Sequence, residues 1–131
     1  MPPESDGTYQ ASNGGLTIIA RALPGDGHRA QLSLTGDIDL AASAVLSETV
    51  DWLTATAPLS VLVDLSEVTF AGSALPNFVA RVSQAMPSGT ELVLWRARPA
   101  TGLVLRITDM ATIATLRNDT TVAYDLPCPL V

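Results

Sequence analysis

One stretch limits the fold more than any other: residues 61–78, VLVDLSEVTFAGSALPNF. It opens on Val61, Leu62 and Val63, an apolar, β-branched run of the kind found in a buried strand. Asp64, Leu65, Ser66 and Glu67 follow, and Val68 and Phe70 turn the chain apolar again. Ala71, Gly72 and Ser73 form a corner of small residues. From Ala74 the period changes, and Leu75, Phe78, Val79 and Val82 recur at helical spacing. A strand thus hands the chain to a helix at Ser73. The serine is predicted to be the N-cap, its oxygen accepting from a first-turn amide. Pro76 agrees with that start, because it removes an amide that has no helical partner.

The rest of the chain arranges itself around this unit. Residues 1–15, rich in Pro, Ser, Gly and Asn, read as a flexible leader. Residues 16–22, LTIIARA, form a strand ended by Pro24-Gly25-Asp26-Gly27. Residues 29–35 alternate, with Ala30, Leu32 and Leu34 on one face and Arg29, Gln31, Ser33 and Thr35 on the other. The two strands read as an antiparallel hairpin. Gly36 and Asp37 are expected to end the second strand. Residues 40–57 carry a helical stripe of Leu40, Val45, Leu46, Val50 and Leu53, with Asp39 as its cap and Pro58 as its stop. After the central unit come a strand at 91–95, a short helix at 100–109 and a weak strand at 112–116. Residues 125–131, with Pro127 and Pro129, form a tail. The order β-β-α-β-α-β-α-β predicts a single α/β domain over 16–124. Its sheet is mixed, with helices packed against it through parallel crossovers.

Composition narrows the function. The 131 residues suit one domain, and 47% hydrophobic content fills a core. The net charge is −6, and all seven basic residues are arginine, against thirteen acidic ones. Non-specific nucleic-acid binding needs clustered cations to neutralise phosphates, so no direct nucleic-acid partner is expected. Single Cys128 forbids an internal disulfide and a cysteine-only zinc cluster. No signal peptide or bilayer-spanning run is visible, so a cytoplasmic protein with no membrane partner is expected.

The chemical candidates are few. Loops at the carboxyl ends of parallel strands gather on one sheet edge, which places Asp37 and Asp39 beside Ser73. Both aspartates also suit a cap and a solvated turn. Adding Asp64 draws a three-carboxylate metal set of receiver type, but the chain has no lysine to complete one, and no metal is expected. His28 lies in a hairpin turn. No G-x-S-x-G elbow surrounds Ser73, and P-loop and dinucleotide glycine motifs are absent, so neither an enzyme nor a cofactor is expected. Trp52 and Trp95 read as packing residues.

Residues 64–82, DLSEVTFAGSALPNFVARV, resemble the central segment of STAS domains, the fold of anti-sigma factor antagonists. That family usually reads D-L-S-x-V-x-F-x-D-S-S-G-L. GDIDLAAS at 36–43 is similar to the family's G-E-[VIL]-D segment, and RPATGLVLRITDM at 98–110 to its third helix. The resemblance covers most of 16–124. It implies a protein that binds an anti-sigma factor, often a serine protein kinase, and so frees a sigma factor in transcription regulation. It puts the phospho-acceptor on Ser73. The docking face it implies comprises Asp37, Asp39, Leu40, Gly72, Ala74, Leu75 and Asn77. ATP would belong to the partner, and the chain would act as a monomer or weak homodimer. Gly72, Ala74, Leu75 and Pro76 depart from the family's Asp, Ser, Gly and Leu. A second implied function is therefore a degenerate STAS module that binds a protein or small molecule without phosphorylation.

Overall fold

The computed structural model describes residues 8–13, 15–23 and 29–117. Six strands form one sheet in sequence order: β1 (Thr8–Asn13), β2 (Leu16–Leu23), β3 (Arg29–Ile38), β4 (Ser60–Ala71), β5 (Glu91–Trp95) and β6 (Thr115–Arg117). The first three pair antiparallel, and β3 through β6 pair parallel. Helices α1 (Ser43–Thr56), α2 (Ala74–Ala85) and α3 (Pro99–Ile107) make the three crossovers. Each parallel strand is added on the same side of the last one. Crossovers of constant hand then lay every helix on one sheet face.

The core lies between that face and the helices. It takes alternate residues from the strands, among them Ile18, Leu32, Leu34, Val63 and Leu94, and meets Leu53, Leu75, Phe78, Val82 and Leu105 from the helices. A fully buried aliphatic or aromatic side chain contributes about 1.5–3 kcal/mol. The expected faces of residues 29–35 are thus observed, with Ala30, Leu32 and Leu34 inside. Strands β4 and β5 are apolar on both sides. Leu62, Val93 and Trp95 form a second, smaller cluster on the other sheet face, and the Arg96 guanidinium lies 4.2 Å from the Trp95 ring centre. Of the two tryptophans, Trp52 is only half-buried, stacked on Tyr9 at 6.1 Å.

Several boundaries differ from the sequence expectation. Within the expected leader, Thr8–Asn13 is strand β1, held to β2 and latched onto α1 by the Tyr9 hydroxyl, which donates to Glu48 at 3.0 Å. Strand β3 does not stop at Gly36 but continues to Ile38, with register shifts against β4 on either side of Gly36. Gly36 has φ +111°, and a Cβ there would overlap the carbonyl oxygen of Gly15. Its apparent turn signal instead marks the close approach of the Gly15 backbone, since only glycine takes this conformation without strain. The helix expected from Leu40 begins as a 3-10 turn, Leu40–Ala42, and β6 starts later than expected, after a second 3-10 turn at Met110–Thr112. The turn around Pro24–Gly27, His28, residues 1–7 and the tail with Cys128 lie outside the described residues.

Candidate functional site

Because β3 and β4 run parallel, both deliver their carboxyl ends to the same edge. Ile38 pairs with Ala71 across them. The corner after β4 is then tied down, as the Gly72 amide donates to the Ile38 carbonyl at 2.9 Å. Asp37 accepts from the Thr69 hydroxyl at 2.7 Å, and Asp39 caps the 3-10 turn by accepting from the Ala41 amide at 3.0 Å. The Asp37–Asp39 segment therefore does adjoin the Ser73 corner, as expected, and both carboxylates have local structural duties.

Ser73 is exposed at the start of α2, but it is not the cap that the sequence suggests. Its backbone is already helical (φ −64°, ψ −16°), and its side chain makes no capping bond. A capping serine holds an extended backbone so that its oxygen can turn back on the first-turn amides. Here the Gly72 carbonyl accepts from Leu75 at 3.1 Å, and the Ser73 carbonyl accepts from Asn77 at 3.2 Å. The hydroxyl is left facing outward with no structural task.

Two large apolar side chains stand exposed around it. Leu40 is 77% exposed and Phe70 55% exposed, and the Phe70 ring lies 3.6 Å from where a Cβ at Gly72 would sit. Beside them a shallow groove of about 270 Å³ runs between α1 and α2, with Leu40, Ser43, Asn77 and Arg81 on its walls. Arg81 donates to the Ser47 hydroxyl across the groove at 2.9 Å. Two residues expected on the docking face are turned inward. Leu75 has no exposed surface and Ala74 only 6%, because their helical positions face the core. Phe70 was missed by sequence reasoning. Strict alternation would put it on the face of Val68, but the register shift between Gly36 and Asp37 breaks the alternation, so Val68 and Ala71 are buried and Phe70 is turned outward.

Asp64 is held away from this edge. It accepts from the Ser66 amide at 2.9 Å and forms an ion pair with Arg96 at 3.3 Å. Asp37, Asp39 and Asp64 do not assemble, and among the described residues no group of three His, Cys, Asp or Glu side chains is placed to hold a metal ion. Among the described residues no helix is long and apolar enough to cross a membrane.

A family model described as "Mlab, STAS domain" matches residues 22–117, well over half of the chain. The chain belongs to the STAS domain family. The fold of this STAS domain is similar to that of an anti-sigma factor antagonist from Mycobacterium paratuberculosis. The TM-score is 0.69 at 23% identity, over 85% of this chain and 92% of the other. It is also similar to the unphosphorylated form of the anti-sigma factor antagonist SpoIIAA. There the TM-score is 0.67 at 13% identity, over 86% of this chain and 98% of the other. Comparison with curated proteins returned no match. The likeness to both structures is one of fold.

Proposed function

We propose that this STAS domain is a non-enzymatic regulator that docks on an anti-sigma factor of the serine kinase type, through the carboxyl edge of β3 and β4. The observation that carries the reading is the exposure of Leu40 and Phe70 near the corner that holds an exposed Ser73. Large apolar residues clustered at a surface corner suit a partner interface, where such anchors supply most of the affinity. The docking face is accordingly Leu40, Phe70, Gly72 and Asn77, with Asp37 and Asp39 shaping it from behind. Phosphorylation of Ser73 would put about −1.5 to −2 charges beside these apolar anchors and oppose docking. Kinase activity and ATP belong to the partner.

A second reading, in which the domain binds constitutively without phosphorylation, is favoured by one detail of α2. A phosphate at a helix start is stabilised by first-turn amides. Here the Leu75 amide is already donated to Gly72, and Pro76 has none. Incubation with a co-purifying kinase and ATP, followed by intact-mass measurement, separates the two. A single phosphate that disappears in Ser73→Ala supports the switch. Tight binding with no added mass supports the constitutive module. Failure of any anti-sigma kinase to bind, in pull-downs that capture one with another family member, would overturn the docking proposal itself.

A further inference from the structure

The buried Leu46, Ala74 and Phe78 line the base of the groove between α1 and α2, and the exposed Leu40 stands at one end of it. Its volume of about 270 Å³ exceeds the roughly 150 Å³ that takes a benzene ring, so it admits one or two apolar side chains. Its walls are helices, whose backbone amides and carbonyls are bonded within each helix. An extended strand laid there would find no backbone partner. A helix brings its own hydrogen bonds and needs only side-chain contact.

The charge along the groove is graded. Among the described residues lining it none is acidic, and the one ionic side chain is Arg81. Arg81 is exposed and donates to the neutral Ser47 hydroxyl at 2.9 Å. Among the described residues no carboxylate pairs with it, and Glu48 on α1 is engaged by Tyr9. One hydrogen bond leaves most of the guanidinium donors for a partner. The Leu40 end is different, because Leu40 follows directly on the Asp39 carboxylate that caps the 3-10 turn. Arg81 lies about 10 Å from Ala74 along α2, at the rise of a helix. The groove is thus apolar along its base, acidic beside one end and cationic at the other.

We propose that this groove receives an amphipathic helix of the anti-sigma factor, which lays apolar side chains against Leu46 and Phe78 and pairs a carboxylate with Arg81. This contact rests on docking at the Ser73 corner, with which the groove shares Leu40 and Asn77. Arg81 selects among partner helices: an acid on the flank of the apolar stripe is favoured, a neutral flank binds less well and a basic one is repelled.

The test uses the isotopically labelled full chain and a stapled amphipathic peptide of about fifteen residues, with leucines three and four apart and one flanking glutamate. A second peptide carries glutamine in place of that glutamate. The glutamate peptide should give a saturable amide shift centred on Ser43, Ser47, Asn77 and Arg81. It should bind about three- to fivefold tighter than the glutamine peptide, the worth of one exposed ion pair. Arg81→Gln should abolish that preference, and Arg81→Lys, which keeps the charge, should retain most of it. Arg21→Gln on β2, an equal loss of charge, should leave it unchanged. No saturable shift, a map centred elsewhere, equal affinity for the two peptides, or a preference that survives Arg81→Gln would each overturn the groove contact. Docking at the corner fails separately, when no anti-sigma kinase binds the wild-type chain.

Discussion

At the scale of single residues, the structure separates side chains with a structural duty from those held free for another use. The Ser73 hydroxyl has no capping bond, so Ser73→Ala is expected to change stability by no more than about 0.5 kcal/mol. Loss of a true cap would cost about 1 kcal/mol. Urea denaturation distinguishes the two. Gly36 is the opposite case. Its φ of +111° and the carbonyl packed against it predict that Gly36→Ala destabilises by about 1–3 kcal/mol, read in the same experiment. Tyr9 carries a pH dependence. Burial first, and then its hydrogen bond to Glu48 and the charge of that carboxylate, raise its pKa above the ordinary tyrosine value of 10.0. The folded state therefore holds the phenolic proton more tightly than the unfolded chain does. That contribution is fully present below pH 10.0 and is lost as the pH rises through the folded value. Tyr9→Phe should flatten the alkaline fall in the melting temperature, while leaving the neutral region similar in shape.

At the scale of elements, α2 divides its residues between two tasks. Its inward face, with Leu75, Phe78, Val79 and Val82, is core. Leu75→Ala should cost about 2–5 kcal/mol of stability, because it leaves a cavity where no surface is exposed. Its effect on partner affinity should be small once the variant is folded. The exposed pair behaves the other way round. Leu40→Ala and Phe70→Ala should each stay within about 0.5 kcal/mol of wild-type stability. Each should cost more than about 1 kcal/mol of affinity for an anti-sigma partner, measured by calorimetry. If both variants bind as wild type, docking uses another surface. The apolar period of α2 was legible in the sequence because a helix buries residues three and four apart. The outward turn of Phe70 was not legible, because a register shift against β3 breaks the alternation between Val68 and Phe70, and that shift depends on the pairing of the two strands.

At the scale of the whole molecule, the monotonic strand order puts all helices on one side and the carboxyl ends of the parallel strands along one edge. The exposed Leu40–Phe70 corner stands at that edge. Strand β1 is an edge, joined to the rest by β2 pairing and by the contacts of Tyr9 with Glu48 and Trp52. A chain beginning at Leu16 should still fold around the same core but melt at a lower temperature. Its Trp52 fluorescence should shift to longer wavelength as the stacked tyrosine is lost. An unchanged melting point and spectrum would mean that β1 adds nothing in solution.

What the sequence determined by itself is what periodicity encodes. It specified the alternating strand of Ala30, Leu32 and Leu34, the doubly buried runs of β4 and β5, the helical stripes of α1 and α2, and hence the α/β order and its STAS resemblance. These are local patterns that burial requires wherever the elements finally sit. Tertiary structure decided what depends on a neighbour. Strand β1 is short and polar, and its pattern has meaning only once β2 offers it hydrogen bonds, so the sequence read it as part of a leader. The continuation of β3 past Gly36 needed the Gly15 carbonyl and the register of β4. Ser73 lost its capping role because Gly72 was drawn to Ile38, a bond between residues far apart in sequence. The cavity lined by Arg98, Arg106 and Arg117 exists only once β5, β6 and α3 have met. Sequence order carries the hydrophobic period, but register and charge convergence are properties of pairs of elements, and only the folded chain brings those pairs together.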